Sequence, residues 1–210
     1  MPGRMALPEP GNPMRFLLVS PRHALRARVE EHIRDVYARE YDAAPEAFPD
    51  MLVALVDEGG RPVSAAGLRL GWSQCFSGCY LDHDVSDLLM QRVGRQVEPE
   101  AILEVTTLAG GHAGEGIELV RRIIAFGHEL GMSWGVFTAT RRLRAVLRRT
   151  GFDLVDLAPA QRERLARPEV WGSYYDNDPW VCALEDPHAM PAFAAMPGTG
   201  ARTAGGMLHA

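Results

Sequence analysis

Residues 101–130 place an apolar run, a glycine cluster and a helical apolar period directly one after another, and few architectures accommodate that succession. Ala101–Leu108 is apolar and β-branched apart from the acid Glu104 and its threonines. It leads into Ala109-Gly110-Gly111-His112-Ala113-Gly114-Glu115-Gly116. Ile117, Val120, Ile123, Ile124, Phe126 and Leu130 then recur at helical spacing, and Gly131 offers a C-cap. A buried strand, a tight turn and an amphipathic helix in immediate sequence form part of a βα unit, which builds sheets covered by helices. Glycines let backbone amides approach an anion closely, and a helix N-terminus adds a favourable dipole. The stretch is therefore a candidate cradle for a phosphate-bearing group. A flexible turn without a ligand accounts for the glycines alone equally well.

The flanking segments say what kind of sheet this unit joins. Phe16–Val19 reads as a short strand. Ser20 as N-cap and Pro21 at the first helical position open a helix over 21–41, with Leu25, Val29, Ile33, Val36, Tyr37 and Tyr41 on one face. Met51–Val56 and Val63–Leu70 flank the turn 57–61 and form an antiparallel hairpin. Residues 71–78 are irregular. Val85, Leu88, Leu89 and Val93 mark a shorter helix begun by Asp82 or Asp84. Trp134–Thr138 is a strand, and Thr140 caps a helix with Leu143, Val146 and Leu147 inward. Arg141, Arg142, Arg144, Arg148 and Arg149 point outward, and Gly151 ends the helix. Phe152–Leu157 and Val181–Leu184 complete the strands. A hairpin feeding βαβ units specifies an α/β (α+β) fold, with a mixed central sheet and helices on its faces. Residues 1–13, with four prolines and two glycines, read as a disordered leader. Residues 186–210, rich in Pro, Gly, Ala and Met without periodicity, read as a disordered tail, which leaves one domain over 14–185.

Composition narrows the function classes. A net charge of -5 argues against nonspecific nucleic-acid binding. Cys75, Cys79 and Cys182 are too few for a disulfide framework; Cys75 and Cys79 read as free thiols before they read as a metal or redox pair. Of the seven histidines only His83 and His112 lie near candidate loops, and neither has metal-ligand spacing to a partner; Tyr80-Leu81-Asp82-His83-Asp84 could bind a cation, but a helix N-cap explains its aspartates, so no metal site is expected. No secretory signal and no run of the roughly 18 apolar residues a spanning helix needs point to a soluble cytoplasmic protein.

Several side chains stand out against this background. Glu104 is an acid at the start of an otherwise apolar strand, either a general base, a solvated strand end or a structural ion-pair partner of one of the arginines. Trp171-Gly172-Ser173-Tyr174-Tyr175-Asp176 is dense in aromatic and polar groups just before the last strand. A phenol there could protonate a leaving thiolate, and adjacent tyrosines face opposite ways in extended chain, so one of the two reaches a site. Tyr80 and Asp82 lie before the second helix. Arg141 follows Thr138 at the carboxyl end of a strand, where ligands bind in open α/β sheets. Gly111-x-x-Gly114-x-Gly116 has the spacing of the acetyltransferase pyrophosphate loop, Q/R-x-x-G-x-G/A, with Gly111 in place of Gln or Arg.

Blocks spread along the chain carry a family resemblance. They are Val36-Tyr37-Ala38-Arg39-Glu40-Tyr41, Phe48-Pro49-Asp50, Ala65-Ala66-Gly67-Leu68-Arg69, Glu104-Val105 with Leu108-Ala109, Phe137-Thr138-Ala139-Thr140 with Leu143-Arg144, and 171–176. Over about residues 25–185 the chain resembles the thermostable hemolysin family, which is similar in layout to the acyl-homoserine-lactone synthases and the GCN5-related N-acetyltransferases. The resemblance implies an acyl-CoA N-acyltransferase-like fold, with a splayed sheet and a thioester in the cleft beside the strand before the glycine turn. It implies transfer of an acyl group from a phosphopantetheine thioester, on acyl carrier protein or CoA, to a small amine or amino-acid-like acceptor, with no tightly bound cofactor. Glu104 is carried over as base or amine-orienting group, with Tyr174 or Tyr175 as acid. Thr106, Thr107, Leu108, Ala109 and Gly110 would face the thioester, and Gly111, Gly114 and Gly116 the pyrophosphate. Arg69, Tyr80, Asp82, Thr138, Arg141, Trp171 and Asp176 would surround the acceptor. Gly111 in place of Gln or Arg favours a carrier-bound donor, for which Arg141, Arg144 and Arg148 would supply a docking face. The alternative is a membrane-active, hemolysin-like or non-catalytic binding protein on the same fold.

Overall fold

The computed structural model describes residues 14–71, 75–111 and 113–186. Within these residues the chain runs β1 (Arg15–Val19), α1 (Arg26–Tyr41), β2 (Met51–Val56), β3 (Pro62–Leu70), α2 (Val85–Val93), β4 (Ile102–Gly110), α3 (Ala113–Glu129), β5 (Trp134–Ala139), α4 (Arg141–Arg149), β6 (Leu154–Pro159) and β7 (Trp180–Glu185). The strands form one sheet in the order β1-β2-β3-β4-β5-β7-β6. Only β4 and β5, joined by α3, run parallel; the other neighbours are antiparallel. This is the mixed sheet read from the sequence. The leader 1–13 and the tail beyond residue 186 lie outside the described residues.

Alternating apolar residues bury both faces. On one, Val29, Ile33, Val36 and Tyr37 of α1 pack on Leu52, Ala54 and Ala65, and Val85 and Leu89 of α2 pack on Ile102, Trp134 and Val136. On the other, Leu119 and Ile123 of α3 cover Val53, Leu55 and Leu103, and Leu147 of α4 packs near Phe137 and Leu184. Period-2 strands with this composition can bury both faces only if helices cover both.

Three local readings change. The first helix begins at Arg26, not Pro21: His23 N donates to Ser20 O, and Leu25 N donates to the ring of His23. Ser20 and Pro21 thus build a turn, a role proline fills as readily as a helix start. Gly114 and Gly116 lie inside the first turns of α3, so the glycine loop is shorter than its spacing implied. Arg144 points inward. Its guanidinium donates to Ala139 O at 3.0 Å, Asp178 O at 2.7 Å and Asp178 Oδ2 at 2.9 Å. Satisfying its donors this way is what permits burial of a guanidinium.

Two other signals behave as read. Asp84 caps α2 by accepting from Ser86 N, and Thr140 caps α4 by accepting from Leu143 N. Gly131 and Gly151 take left-handed φ values of 73° and 93° after their helices.

Candidate active site

β4 and β5 pair from Ile102↔Trp134 to Val105↔Phe137 and then part, although both strands continue. A bulge in β4 coincides with the parting. Ala65 pairs with Ala109 but Gly67 pairs with Thr106, so Thr107 and Leu108 together oppose Ala66. Thr107 takes a φ of 46°, a left-handed conformation that costs a β-branched residue free energy. The bulge bends β4 away from β5, which leaves the β5-facing edge of Thr106–Gly110 without a strand partner. The hydroxyls of Thr106 and Thr107 are buried there without a hydrogen-bond partner.

Gly67 makes the bulge possible. A Cβ on it would lie 2.5 Å from Thr106 Oγ1 and 2.6 Å from Pro49 Cγ. Pro49 is held in turn by Arg26, whose guanidinium donates to Pro49 O at 2.9 Å and Asp50 O at 2.7 Å.

Two hollows meet at the gap. A cavity of about 640 Å³ lies on the α3/α4 side. Its floor includes Leu103, Val105, Gly135 and Phe137, and its walls include Ile123 and Leu143. A pocket of about 30 Å³ lies on the opposite side, among Phe76, Ser77, Tyr80, Thr106, Trp171 and Tyr175. Tyr37, Val105, Thr107, Thr138 and Tyr174 line both. The parted strands therefore form a window through the sheet.

The window is framed by packed rings. Tyr174 stacks on Tyr37 at 6.2 Å and meets Tyr41 edge-on at 5.1 Å. Tyr174 OH donates to Thr138 O at 3.1 Å, while the Tyr175 and Tyr80 hydroxyls share a 2.5 Å hydrogen bond. Burial raises all three phenols, Tyr175 to about 12, so each keeps its proton at neutral pH. Gly172 brings this loop against α1. A Cβ there would clash with Tyr41 O and Asp42 O, and Ser173 N donates to the Tyr41 carbonyl at 2.8 Å.

Glu104 is fully buried behind the small pocket and lines neither hollow. It accepts from Ser77 N at 2.6 Å and Phe76 N at 2.8 Å, and pairs with Arg69 at 3.3 Å. Ser77 Oγ reaches Thr138 Oγ1 at 3.2 Å. Glu104 thus holds the 3-10 turn Phe76–Tyr80 against the window.

The remaining sequence candidates divide. Thr107 and Leu108 line the large cavity; Tyr80, Thr138 and Trp171 line the small pocket. Ala109 and Gly110 follow the bulge, Gly111 precedes α3, and Gly114 and Gly116 sit in its first turns, where Cβ atoms on them would meet nothing within 4 Å. Asp82 is on the surface, where Arg164 holds its carboxyl below the usual range. Asp176 is exposed outside both hollows, and Arg141 is exposed at the start of α4, 3.4 Å from Asp178. Of the arginines expected to form a docking face, Arg144 is buried and Arg148 is paired with Asp156 at 2.7 Å.

Sequence reasoning passed over Tyr37, Tyr41, Phe76 and Ser77. The i, i+4 tyrosines of α1 were the available signal, but they also satisfy a core period. Cys75, Cys79 and Cys182 are free, and burial raises each thiol. Among the described residues no His/Cys/Asp/Glu group forms a metal site, and no helix is long and apolar enough to cross a membrane.

A mixed sheet parted between its parallel strands, with a hollow on each side of the gap, defines the acyl-CoA N-acyltransferase-like fold. Solved structures share it. The AHL synthase LasI superposes with a TM-score of 0.54 at 13% identity, covering 83% of this chain and 91% of LasI. A Lactobacillus plantarum protein assigned as an N-acetyltransferase gives 0.53 at 12% identity, covering 83% and 98%. FeeM, an N-acyl amino acid synthase from uncultured soil microbes, gives 0.51 at 14% identity, covering 82% and 90%. The chain belongs to the thermostable hemolysin family, whose sequence profile matches residues 19–190. No curated protein matches it by sequence.

Proposed function

We propose that the protein is an N-acyltransferase that moves an acyl group from a phosphopantetheine thioester to a small amine or amino-acid-like acceptor. The window between the two hollows carries this reading: an acyl group on the α3/α4 side and an amine nitrogen reaching in through the small pocket would meet between Thr107 and Thr138. The parted strand edge offers amides to a thioester oxygen, an arrangement that favours a developing oxyanion. The amine nitrogen attacks the carbonyl carbon, the C–N bond forms and the C–S bond breaks. The nitrogen releases its proton to water. Tyr174, which lines both hollows and holds its proton, protonates the departing thiolate and is reprotonated from solvent. Glu104 serves as a positioning residue through Ser77 and Phe76.

A carrier-bound donor suits the start of α3 better than CoA. Gly111 replaces the usual Gln or Arg, and Glu115 Oε2 lies 2.9 Å from where a Cβ on Gly111 would stand, so a carboxylate occupies the approach to the helix N-terminus. Exposed Arg141 and Arg142 near the cavity mouth would face an acidic carrier.

The test is thiol release from acyl-carrier and acyl-CoA thioesters offered with an amine panel. Amine-dependent release, faster with the carrier, is expected. Absence of turnover with every donor, together with dye leakage from liposomes, would support the membrane-active alternative instead.

A further inference from the structure

We infer that the acyl group is long, about 12–16 carbons, and that Gly135 sets how far the chain can extend; this deepens the acyltransferase reading and rests on it. The large cavity does not stop at the window. It follows β5 from Thr138 back to Ser133 and reaches Asp153, Glu185 and Asp186 at the other end of the strands. Five strand steps at about 3.3 Å each make a path of about 17 Å. With bonds of about 1.5 Å and angles of about 111°, an extended chain advances about 1.25 Å per carbon, so the path holds about 14 carbons. An acetyl group would leave most of the 640 Å³ unfilled.

Glycine keeps the middle of this path open. Gly135 is the register partner of Leu103 on the cavity floor, and a Cβ on it would meet only Leu184 O at 4.0 Å. The backbone has ordinary negative φ there, since Gly135 is absent from the left-handed glycines. Lack of a side chain is therefore what this position contributes, and β-propensity disfavours glycine in a strand interior without such a reason. On the facing helix, Gly127 lies against the same residue, with its Cβ position 3.5 Å from Leu103 Cδ2. Gly135 is three steps from Thr138, about 10 Å, so a side chain there would meet the chain near its eighth carbon. At the far end the path meets charged side chains, with Arg95 paired to Glu185 and His128 Nδ1 2.9 Å from Asp186 Oδ2. Carbons beyond that rim gain no further burial.

The test needs no turnover. Saturated fatty acids of 4 to 18 carbons are titrated calorimetrically into the wild type, Gly135→Ala and Gly135→Leu, each checked for folding by circular dichroism. Affinity in the wild type should rise about four-fold per added methylene and level off near 14 carbons. Gly135→Leu should move that plateau to about 8 carbons, and Gly135→Ala should shift it less. A flat wild-type series, or a plateau unmoved in a folded Gly135→Leu protein, overturns the inference. If Gly135→Leu does not fold, Gly135→Ala decides by the same shift. Length-dependent binding without acyl transfer to any amine would leave the chain-binding path standing and reject the proposed reaction.

Discussion

The Ser77 amide donates to Glu104 Oε1 across 2.6 Å, and the neighbouring Phe76 amide takes the other carboxylate oxygen. A carboxylate is acceptor-only when ionised, which matches two inward-pointing N–H groups and the Arg69 guanidinium. Glu104→Gln puts an NH₂ donor where one acceptor is required. The expected loss is about 1–3 kcal/mol of stability together with most of the transfer activity. Urea denaturation beside thiol-release kinetics checks this. Unchanged stability with lost turnover would assign Glu104 to the chemistry itself.

Gly67→Ala forces a methyl against Thr106 Oγ1 and the Pro49 ring at the point where β4 bulges. Overpacking of this kind costs about 1–3 kcal/mol, and relief requires the bulge to move. The denaturation midpoint should fall, and acyl transfer should fall by more than the unfolded fraction explains.

Tyr174→Phe removes one hydrogen bond, to Thr138 O, and keeps the ring packing on Tyr37 and Tyr41. Stability should drop by about 1 kcal/mol. If Tyr174 supplies the leaving-group proton, kcat falls about 100-fold with little change in acceptor KM. Donors with a more acidic thiol should recover part of the rate.

Alkaline stability follows from Tyr175. Its ordinary pKa of 10.0 rises to about 12 through burial, so the folded chain binds more protons than the unfolded chain between those values. Stability is therefore full below pH 10 and declines as pH rises toward 12. Tyr37, Tyr80 and Tyr174, also raised by burial, act in the same direction. Tyr175→Phe should shallow the decline, read as the denaturation midpoint against pH from 8 to 11.5.

Elements with a strong local period were legible from the chain alone. Met51–Val56 lies where its apolar run placed it, and the helices after Asp84 and Thr140 begin at their caps. Failures fall where one residue type serves two local outcomes. Ser20-Pro21 suits a turn as well as a helix start. Arg144 sits in an arginine-rich stretch whose pattern is that of a solvated face, and its reason for burial, Asp178, is 34 residues away.

Strand, glycine turn and helix between 101 and 130 were settled by backbone preferences and side-chain period, which act over a few residues and are written in the order of the chain. That order also favoured a mixed sheet. The window needed more: β4 had to bulge opposite Ala66, beside Gly67, and tyrosines from α1 and from 174–175 had to meet around it. The burial of Glu104 under Phe76 and Ser77 likewise joins residues 27 and 28 apart. Such contacts depend on long-range packing, where burial and hydrogen-bond satisfaction outweigh local preference, so only the tertiary structure decided them.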